Sequence, residues 1–132
     1  MCINETLRIK PSARITFTHK VTETIRVNGF NIRDDHPMLI SIYSLHHNPL
    51  EWRDPEKFIP ERFDPTSEFY LRPDGKKRNP FSFGPFLGGR RICIGKTFAE
   101  NIAKCVLSII LNQVKFEFID KSLYERYPRN NL

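Results

Sequence analysis

Seven prolines fall between Asn48 and Phe86, and they constrain the fold of this chain more than any other sequence feature. Proline has no backbone N–H donor and holds its own φ angle, so closely spaced prolines interrupt both helices and inner strands. We therefore predict that residues 48–86 are irregular and are held by side chains instead of by a β-sheet.

Short regular elements are predicted before this segment. Residues 2–9 read as the end of a helix, because Pro11 disfavours helix in the residue before it. Asn28-Gly29 lies between alternating apolar residues and predicts a β-hairpin over 23–33. The largely apolar residues 38–43 are interpreted as a further strand.

After the prolines, residues 96–113 carry apolar side chains at spacings of three and four, which predicts an amphipathic helix. Residues 114–118 alternate apolar and charged side chains, as a strand would. The fold class is therefore α+β, with helices and small antiparallel sheets. Four side chains are assigned to the core: Trp52, Phe58, Phe98 and Cys105.

Length and charge exclude several classes of function. The chain has 132 residues, enough for one domain, and its longest nearly apolar run, 105–111, is far too short to cross a bilayer. The net charge of +6 is spread along the sequence. Its densest cluster, at 76–78, is interpreted as a solvated surface, although such a surface can also meet an anionic partner. Without zinc-knuckle spacing or an arginine-rich helix face, we expect no binding to nucleic acid.

Cys93 is the most distinctive of three cysteines, an odd number with no C-x-x-C pair, so neither a disulfide framework nor a zinc site is expected. It precedes a helix N-terminus and follows Arg90 and Arg91, and both features favour a thiolate. A thiolate can act as a nucleophile or as a metal ligand, whereas an ordinary cysteine is a small buried hydrophobe. A phosphate-binding loop is excluded, because Arg90 stands where that motif needs glycine.

The residues around Cys93 carry a family resemblance. Phe86, Gly89, Arg91, Cys93 and Gly95 match F-x-x-G-x-R-x-C-x-G, and the chain resembles the cytochrome P450 family, whose cysteine loop has this signature. Two further family motifs occur in the expected order. They are E-x-x-R at Glu5 and Arg8, and P-E-R-F at 60–63, which includes Arg62.

The resemblance implies the C-terminal part of the cytochrome P450 fold, a fold that is mostly α when complete. The expected elements are the end of the K helix, small antiparallel β-sheets, the meander, the cysteine loop and the L helix. Residues 1–132 are thus expected to be a partial domain that lacks the distal-side helices and the final hairpin. The family also implies that Glu5, Arg8 and Arg62 form a buried network. The alternative is an exposed i,i+3 pair of Glu5 with Arg8.

The implied cofactor is haem b (iron protoporphyrin IX), with Cys93 as the axial iron ligand. By resemblance, Arg91 pairs with a haem propionate, Phe86 lies against the haem, and Gly89 and Gly95 allow its close approach. His19 occupies the place of a second propionate ligand, or is an ordinary exposed strand histidine. Candidate substrate contacts are Ala13, Arg14, Ile15, Thr16 and Phe17.

The implied activity is that of a haem-thiolate monooxygenase, which uses O2 and electrons from an NADPH-dependent reductase or another donor. Its substrate would be a small apolar organic molecule, and its location the endoplasmic-reticulum membrane, reached through an N-terminal anchor outside this chain. The alternative is a truncated, non-catalytic remnant or interaction module that does not hold haem alone.

Overall fold

A computed structural model describes residues 1–117 and shows short helices, one hairpin and a long irregular segment. The fold is mixed α and β, as predicted. Turns of 3-10 helix occur at Pro60–Phe63, Glu68–Tyr70, Pro80–Ser82 and Gly89–Arg91. The regular elements are α1 (Cys2–Ile9), β1 (Ile25–Val27), β2 (Phe30–Ile32), α2 (Ile42–His46) and α3 (Lys96–Gln113).

Helix α1 ends where the sequence predicts. The backbone N–H of Lys10 closes the last turn on the carbonyl of Thr6 at 2.8 Å, and Pro11 follows. Glu5 and Arg8, three residues apart on one face, are the buried residues of this helix. This face packs against the Pro60–Phe63 turn and against α2.

The predicted hairpin is confirmed. Strands β1 and β2 pair antiparallel, with Ile25 opposite Ile32 and Val27 opposite Phe30. The turn residues Asn28 and Gly29 have φ angles of 48° and 87°, the left-handed conformation that Asn-Gly adopts at little cost.

The predicted strand over 38–43 is wrong. Only isolated bridges form there, Ile15 with Ser41 and His19 with Met38, and α2 begins at Ile42. Ser41 ends the extended conformation because its side chain caps the new helix, accepting a hydrogen bond from the Ser44 N–H at 3.1 Å.

The proline-rich segment is irregular, as predicted, and arginine side chains hold it. Arg78 donates to the carbonyls of Arg62, Phe69 and Tyr70, and its guanidinium lies 4.2 Å from the ring centroid of Trp52. Residues 76–78 are therefore not a uniformly solvated cluster. The two lysines are exposed, whereas Arg78 is partly buried and joins separate turns of the segment.

The interior of residues 1–117 contains more polar than apolar side chains. The buried hydrophobic residues are Ile42, Trp52 and Ile59, and the buried polar ones are Glu5, Arg8, His46, Arg62 and Ser82. The core assignment of Trp52 is confirmed. Phe58 is 49% exposed, Phe98 is 70% exposed and Cys105 is exposed, so their assignments are wrong for the described part of the chain.

Helix α3 has the predicted bounds, but none of its residues is buried, and all except Lys96 and Glu100 are solvent-exposed. Its apolar stripe has no cover within residues 1–117, which explains the exposure of Phe98 and Cys105. Residues 114–117 form no strand, since no other described segment pairs with them, and Phe118 lies outside the described residues. Within residues 1–117, no helix is long and apolar enough to span a membrane.

Candidate functional site

Glu5 is the centre of a buried ionic network. Its carboxylate accepts two hydrogen bonds from Arg8, both of 2.8 Å, and one of 3.1 Å from Arg62 Nε. The backbone N–H of Ile59 donates to the same carboxylate at 2.8 Å. All three charged side chains have no exposed surface. The alternative of an exposed Glu5–Arg8 pair is therefore wrong, and the predicted three-residue contact is present.

The two guanidinium groups of this network also bind backbone carbonyls of the proline-rich segment. Arg8 donates to Pro55 at 2.7 Å and to Lys57 at 3.0 Å, and Arg62 donates to Asp54 at 2.6 Å. Burial lowers the pKa of Arg62 to about 10, while the Glu5 carboxylate acts in the opposite direction, so the guanidinium stays charged at neutral pH. The network thus anchors residues 53–57 to α1.

The loop that carries Cys93 is a series of tight turns. Leu87 N–H donates to the Gly84 carbonyl at 3.0 Å, and Cys93 N–H donates to the Phe86 carbonyl at 2.9 Å. Leu87 and Gly89 have φ angles of 64° and 62°. Glycine is therefore favoured at position 89, because a side chain would make this left-handed conformation unfavourable.

Gly95 has a different role from Gly89. Its φ is −82°, which any residue adopts, and an added Cβ would lie 3.8 Å from the sulfur of Cys93, an ordinary contact. The backbone itself does not need glycine here. The sequence suggests another reason for glycine at position 95, which is to allow another group to approach Cys93 closely.

The thiol of Cys93 is exposed and forms no disulfide. It lies just ahead of α3, whose N-terminal N–H groups favour an anion. Arg91, also exposed, forms no ion pair with any residue in 1–117. Ile94 is fully exposed and Phe98 largely so. The loop therefore presents a thiol, a cation and apolar side chains.

These features fit haem. Residues 1–117 contain no group of three His, Cys, Asp or Glu side chains that could enclose a metal ion, so Cys93 would be a solitary ligand. Iron in haem receives four ligands from the porphyrin and needs only an axial ligand from the protein. The apolar side chains suit the porphyrin face, and the cation of Arg91 suits a propionate.

Of the other candidate residues, Phe86 lies in the cysteine loop, whereas His19 and the 13–17 segment lie elsewhere in the fold. His19 is partly exposed, and its backbone exchanges two hydrogen bonds of 2.8 Å with Met38. Among residues 1–117, no hydrogen bond joins His19 to the cysteine loop. Phe86 is partly buried. In the 13–17 segment Phe17 is 92% exposed, and Arg14 lies over the ring of Tyr43.

Sequence reasoning missed His46. This side chain has no exposed surface, and its ring bonds to the Arg8 carbonyl at 3.2 Å and to the Gly84 N–H at 3.0 Å. The pKa of the His46 ring is lowered to about 4, mainly by burial. The sequence shows only two adjacent histidines, and nothing local distinguishes the buried His46 from the partly exposed His47.

A protein-family model described as cytochrome P450 matches residues 1–129. The chain belongs to the cytochrome P450 family. Three known motifs of that family, E-x-x-R, P-E-R-F and the cysteine loop, are thus the segments that form the network and the loop described above. The α+β arrangement of residues 1–117 is a partial P450 fold.

Known P450s are similar to this chain over most of its length. It is 40% identical to cytochrome P450 4F5 of Rattus norvegicus and 39% identical to cytochrome P450 4F2 of Homo sapiens, each over 84% of the chain. A Mus musculus relative with 38% identity is named leukotriene-B4 omega-hydroxylase 3. The chain spans about a fifth of the length of these relatives, 20% in each case.

Solved P450 structures have the same fold over this region. The structure of cyanobacterial CYP120A1 with bound retinoic acid superposes with a TM-score of 0.74 at 29% identity and covers 84% of this P450 chain. A zebrafish cytochrome P450 with abiraterone superposes with a TM-score of 0.65 at 28% identity and covers 83%. The chain corresponds to 24% and 23% of those two proteins.

Proposed function

We propose that residues 1–132 form the C-terminal, cysteine-ligand side of a cytochrome P450 domain in a haem-thiolate monooxygenase. The observation that carries this proposal is the unpaired, exposed thiol of Cys93 in the family's signature loop. The loop precedes α3, and the Glu5–Arg8–Arg62 network stabilises the segment that leads to it.

The cofactor in this proposal is haem b, whose iron the Cys93 sulfur would bind. Bound haem supplies the chemistry that activates O2 and inserts one oxygen atom into an organic substrate. Arg91 would neutralise one propionate, and His19 would donate a hydrogen bond to the other. Phe86 would contact the porphyrin, and the absence of side chains at Gly89 and Gly95 would leave room for it.

The proposed substrate is a small apolar organic molecule. The names of the mouse leukotriene hydroxylase and of the retinoic-acid-bound cyanobacterial protein support this class. Ile15 and Phe17 are exposed apolar residues in the segment assigned to the pocket wall by family resemblance. We propose that Ala13, Arg14, Ile15, Thr16 and Phe17 contact the substrate.

The proposed electron donor is an NADPH-dependent reductase or a similar protein. Arg90, Lys96 and Lys104 carry positive charge beside the cysteine loop and on α3, and such charges steer an acidic partner towards this side of the protein. We place the protein at the endoplasmic-reticulum membrane, where an anchor N-terminal to these residues would hold it.

Absorption spectroscopy tests the proposal. The full-length product of the natural gene is expressed with a haem precursor, reduced and exposed to carbon monoxide. We expect the red-shifted absorption of a thiolate-ligated complex, and we expect Cys93→Ser to abolish it. Cys105→Ser is the matched control, because Cys105 is also exposed but lies in the middle of α3. An unshifted spectrum of the wild-type protein, or a red shift that survives Cys93→Ser, would contradict the proposal.

The natural transcript provides a second test. An open reading frame that encodes the distal-side helices upstream of Met1 supports the monooxygenase. An in-frame stop immediately upstream would contradict it and would favour a remnant that does not hold haem.

A further inference from the structure

His46 connects the buried network to the cysteine loop. Its ring contacts the backbone of α1 on one side and the backbone of Gly84 on the other, at 3.2 Å and 3.0 Å. The backbone carbonyl of His46 also accepts a 2.9 Å hydrogen bond from Arg8 Nη1. Its ring stacks on Phe83 with a centroid separation of 5.2 Å. His46 is thus held from three directions, with no exposed surface.

The two ring contacts require one protonation state. The Arg8 carbonyl can only accept a hydrogen bond, so Nδ1 must carry a proton. The Gly84 N–H can only donate, so Nε2 must be unprotonated. Only the neutral Nδ1–H tautomer satisfies both, and the lowered pKa of His46 is consistent with a neutral ring.

Two further bonds continue from Gly84 towards Cys93. The Gly84 carbonyl accepts from Leu87 N–H at 3.0 Å, which closes the turn in which Leu87 has a φ of 64°. The neighbouring Phe86 carbonyl accepts from Cys93 N–H at 2.9 Å. A leucine in the left-handed region is sterically strained and persists only where its surroundings impose it. The His46 bond fixes the start of this strained turn.

We propose that His46 is a positioning residue for the Cys93 ligand, acting through the Gly84 N–H and the turn at Leu87. This inference rests on the proposed haem-thiolate function and assigns a role within it. Arg8 holds His46 at two points, because its side chain binds the backbone carbonyl of His46 and its own carbonyl binds the ring. The buried network thereby reaches the cysteine loop by a defined route of hydrogen bonds.

Three substitutions at His46 separate the two ring contacts. His46→Gln can place an amide oxygen near the Nε2 position and keep an acceptor for the Gly84 N–H. His46→Asn is shorter and can place its amide nitrogen near Nδ1, so it keeps only the bond to the Arg8 carbonyl. His46→Phe keeps the ring and its stacking on Phe83 but makes neither bond.

The first measurement is amide hydrogen exchange of Gly84 in the full-length holoprotein. Loss of its acceptor leaves a partly buried N–H without a partner, so we expect exchange at least about tenfold faster in the Asn and Phe variants. The Gln variant should stay within about threefold of wild type. Equal Gly84 exchange in all four proteins would overturn the proposal.

The second measurement is the carbon monoxide spectrum at matched haem content. The Asn and Phe variants should show a larger fraction of complex without the thiolate red shift, and Gln should restore it. A merely structural role would lower haem content without changing that fraction, and this result would refute a positioning role.

A measurement on the wild-type protein covers the case in which the variants fail to fold. Nitrogen-15 NMR of labelled histidine should find His46 as the neutral Nδ1–H tautomer, and an Nε2–H tautomer would refute the proposal. The hydrogen-exchange rate of Gly84 and the tautomer of His46 can both be measured without knowing which residue binds iron. A wild-type protein without a thiolate spectrum would contradict the proposed function, whereas a wrong tautomer in a normal P450 would contradict the role of His46 alone.

Discussion

Replacing Glu5 with glutamine tests whether the buried network holds the proline-rich segment. The carboxylate accepts four hydrogen bonds, two from Arg8 and one each from Arg62 and the Ile59 N–H. An amide has one oxygen and an NH2 group that would face a guanidinium. The substitution therefore leaves two buried cations without a counter-charge while it barely changes the side-chain volume. Removing one partner of a buried ion pair costs about 3–5 kcal/mol.

Amide exchange of Ile59 in the full-length protein measures this cost locally. A glutamine oxygen can still accept from Ile59, so faster exchange reports opening of the segment and not merely the loss of an acceptor. At about 1.4 kcal/mol per factor of ten, exchange should accelerate by about two to four orders of magnitude, up to the limit set by global unfolding.

The matched control for Glu5→Gln is Glu68→Gln. Glu68 pairs with Arg53 at 3.0 Å, but its side chain is 73% exposed, and such pairs contribute about 0–1 kcal/mol. If Glu5→Gln accelerates Ile59 exchange no more than Glu68→Gln does, the network does not hold the segment and the reasoning fails.

Three other perturbations have defined outcomes. Glu5→Ala and Arg8→Ala should each abolish haem incorporation in the full-length protein, because an uncompensated buried charge releases the segment; normal haem occupancy in either variant, measured as haem per protein, would contradict this. Burial lowers the pKa of His46 from 6.5, the ordinary value expected in the unfolded chain, to about 4 in the folded protein. Between pH 4 and pH 6.5 the unfolded chain therefore binds more protons than the folded one. The contribution of His46 to stability is present above pH 6.5 and lost as pH falls towards 4, by at most about 3 kcal/mol, and urea unfolding should show a steeper pH dependence for wild type than for His46→Gln. Gly89→Ala should lower the free energy of unfolding by about 1–2 kcal/mol, because Gly89 has a positive φ. Gly88→Ala should not lower it, because Gly88 has a φ of −160°. Equal urea midpoints for these two variants would contradict this prediction.

Local sequence patterns predicted the elements whose determinants are local. Asn28-Gly29 specifies the hairpin turn by its own conformational preference, and Pro11 ends α1 by its own ring. The spacing of apolar residues predicted α3 but could not show what covers it. Its stripe is exposed in residues 1–117, so a core assignment based on periodicity alone was wrong for Phe98 and Cys105.

Local patterns failed where a long-range contact or a short cap decides the structure. Helix α2 has only five residues, so the apolar run at 38–43 has the sequence pattern of a strand, and the cap at Ser41 decides for a helix. The His46 ring binds the backbone of a residue that is 38 positions away in the sequence. Arg78 binds backbone carbonyls that are between 8 and 16 positions away. Backbone atoms carry no sequence signature. The contact of Arg62 with Glu5 was expected only because the chain resembles a known family.

The use of backbone carbonyls by Arg8, Arg62 and Arg78 has a consequence for mutational tolerance. A carbonyl group is the same whichever side chain its residue carries, so Lys57 and Phe69 can change without loss of the bond that their carbonyls accept from arginine. The arginines cannot change, because no other side chain presents the same planar set of donors. We therefore expect a library of variants to accept many residues at the acceptor positions and almost none at the donor positions. Tolerance to substitution in this segment would then depend on whether a residue uses its side chain or its backbone in the bond. It would not depend on how deeply the residue is buried.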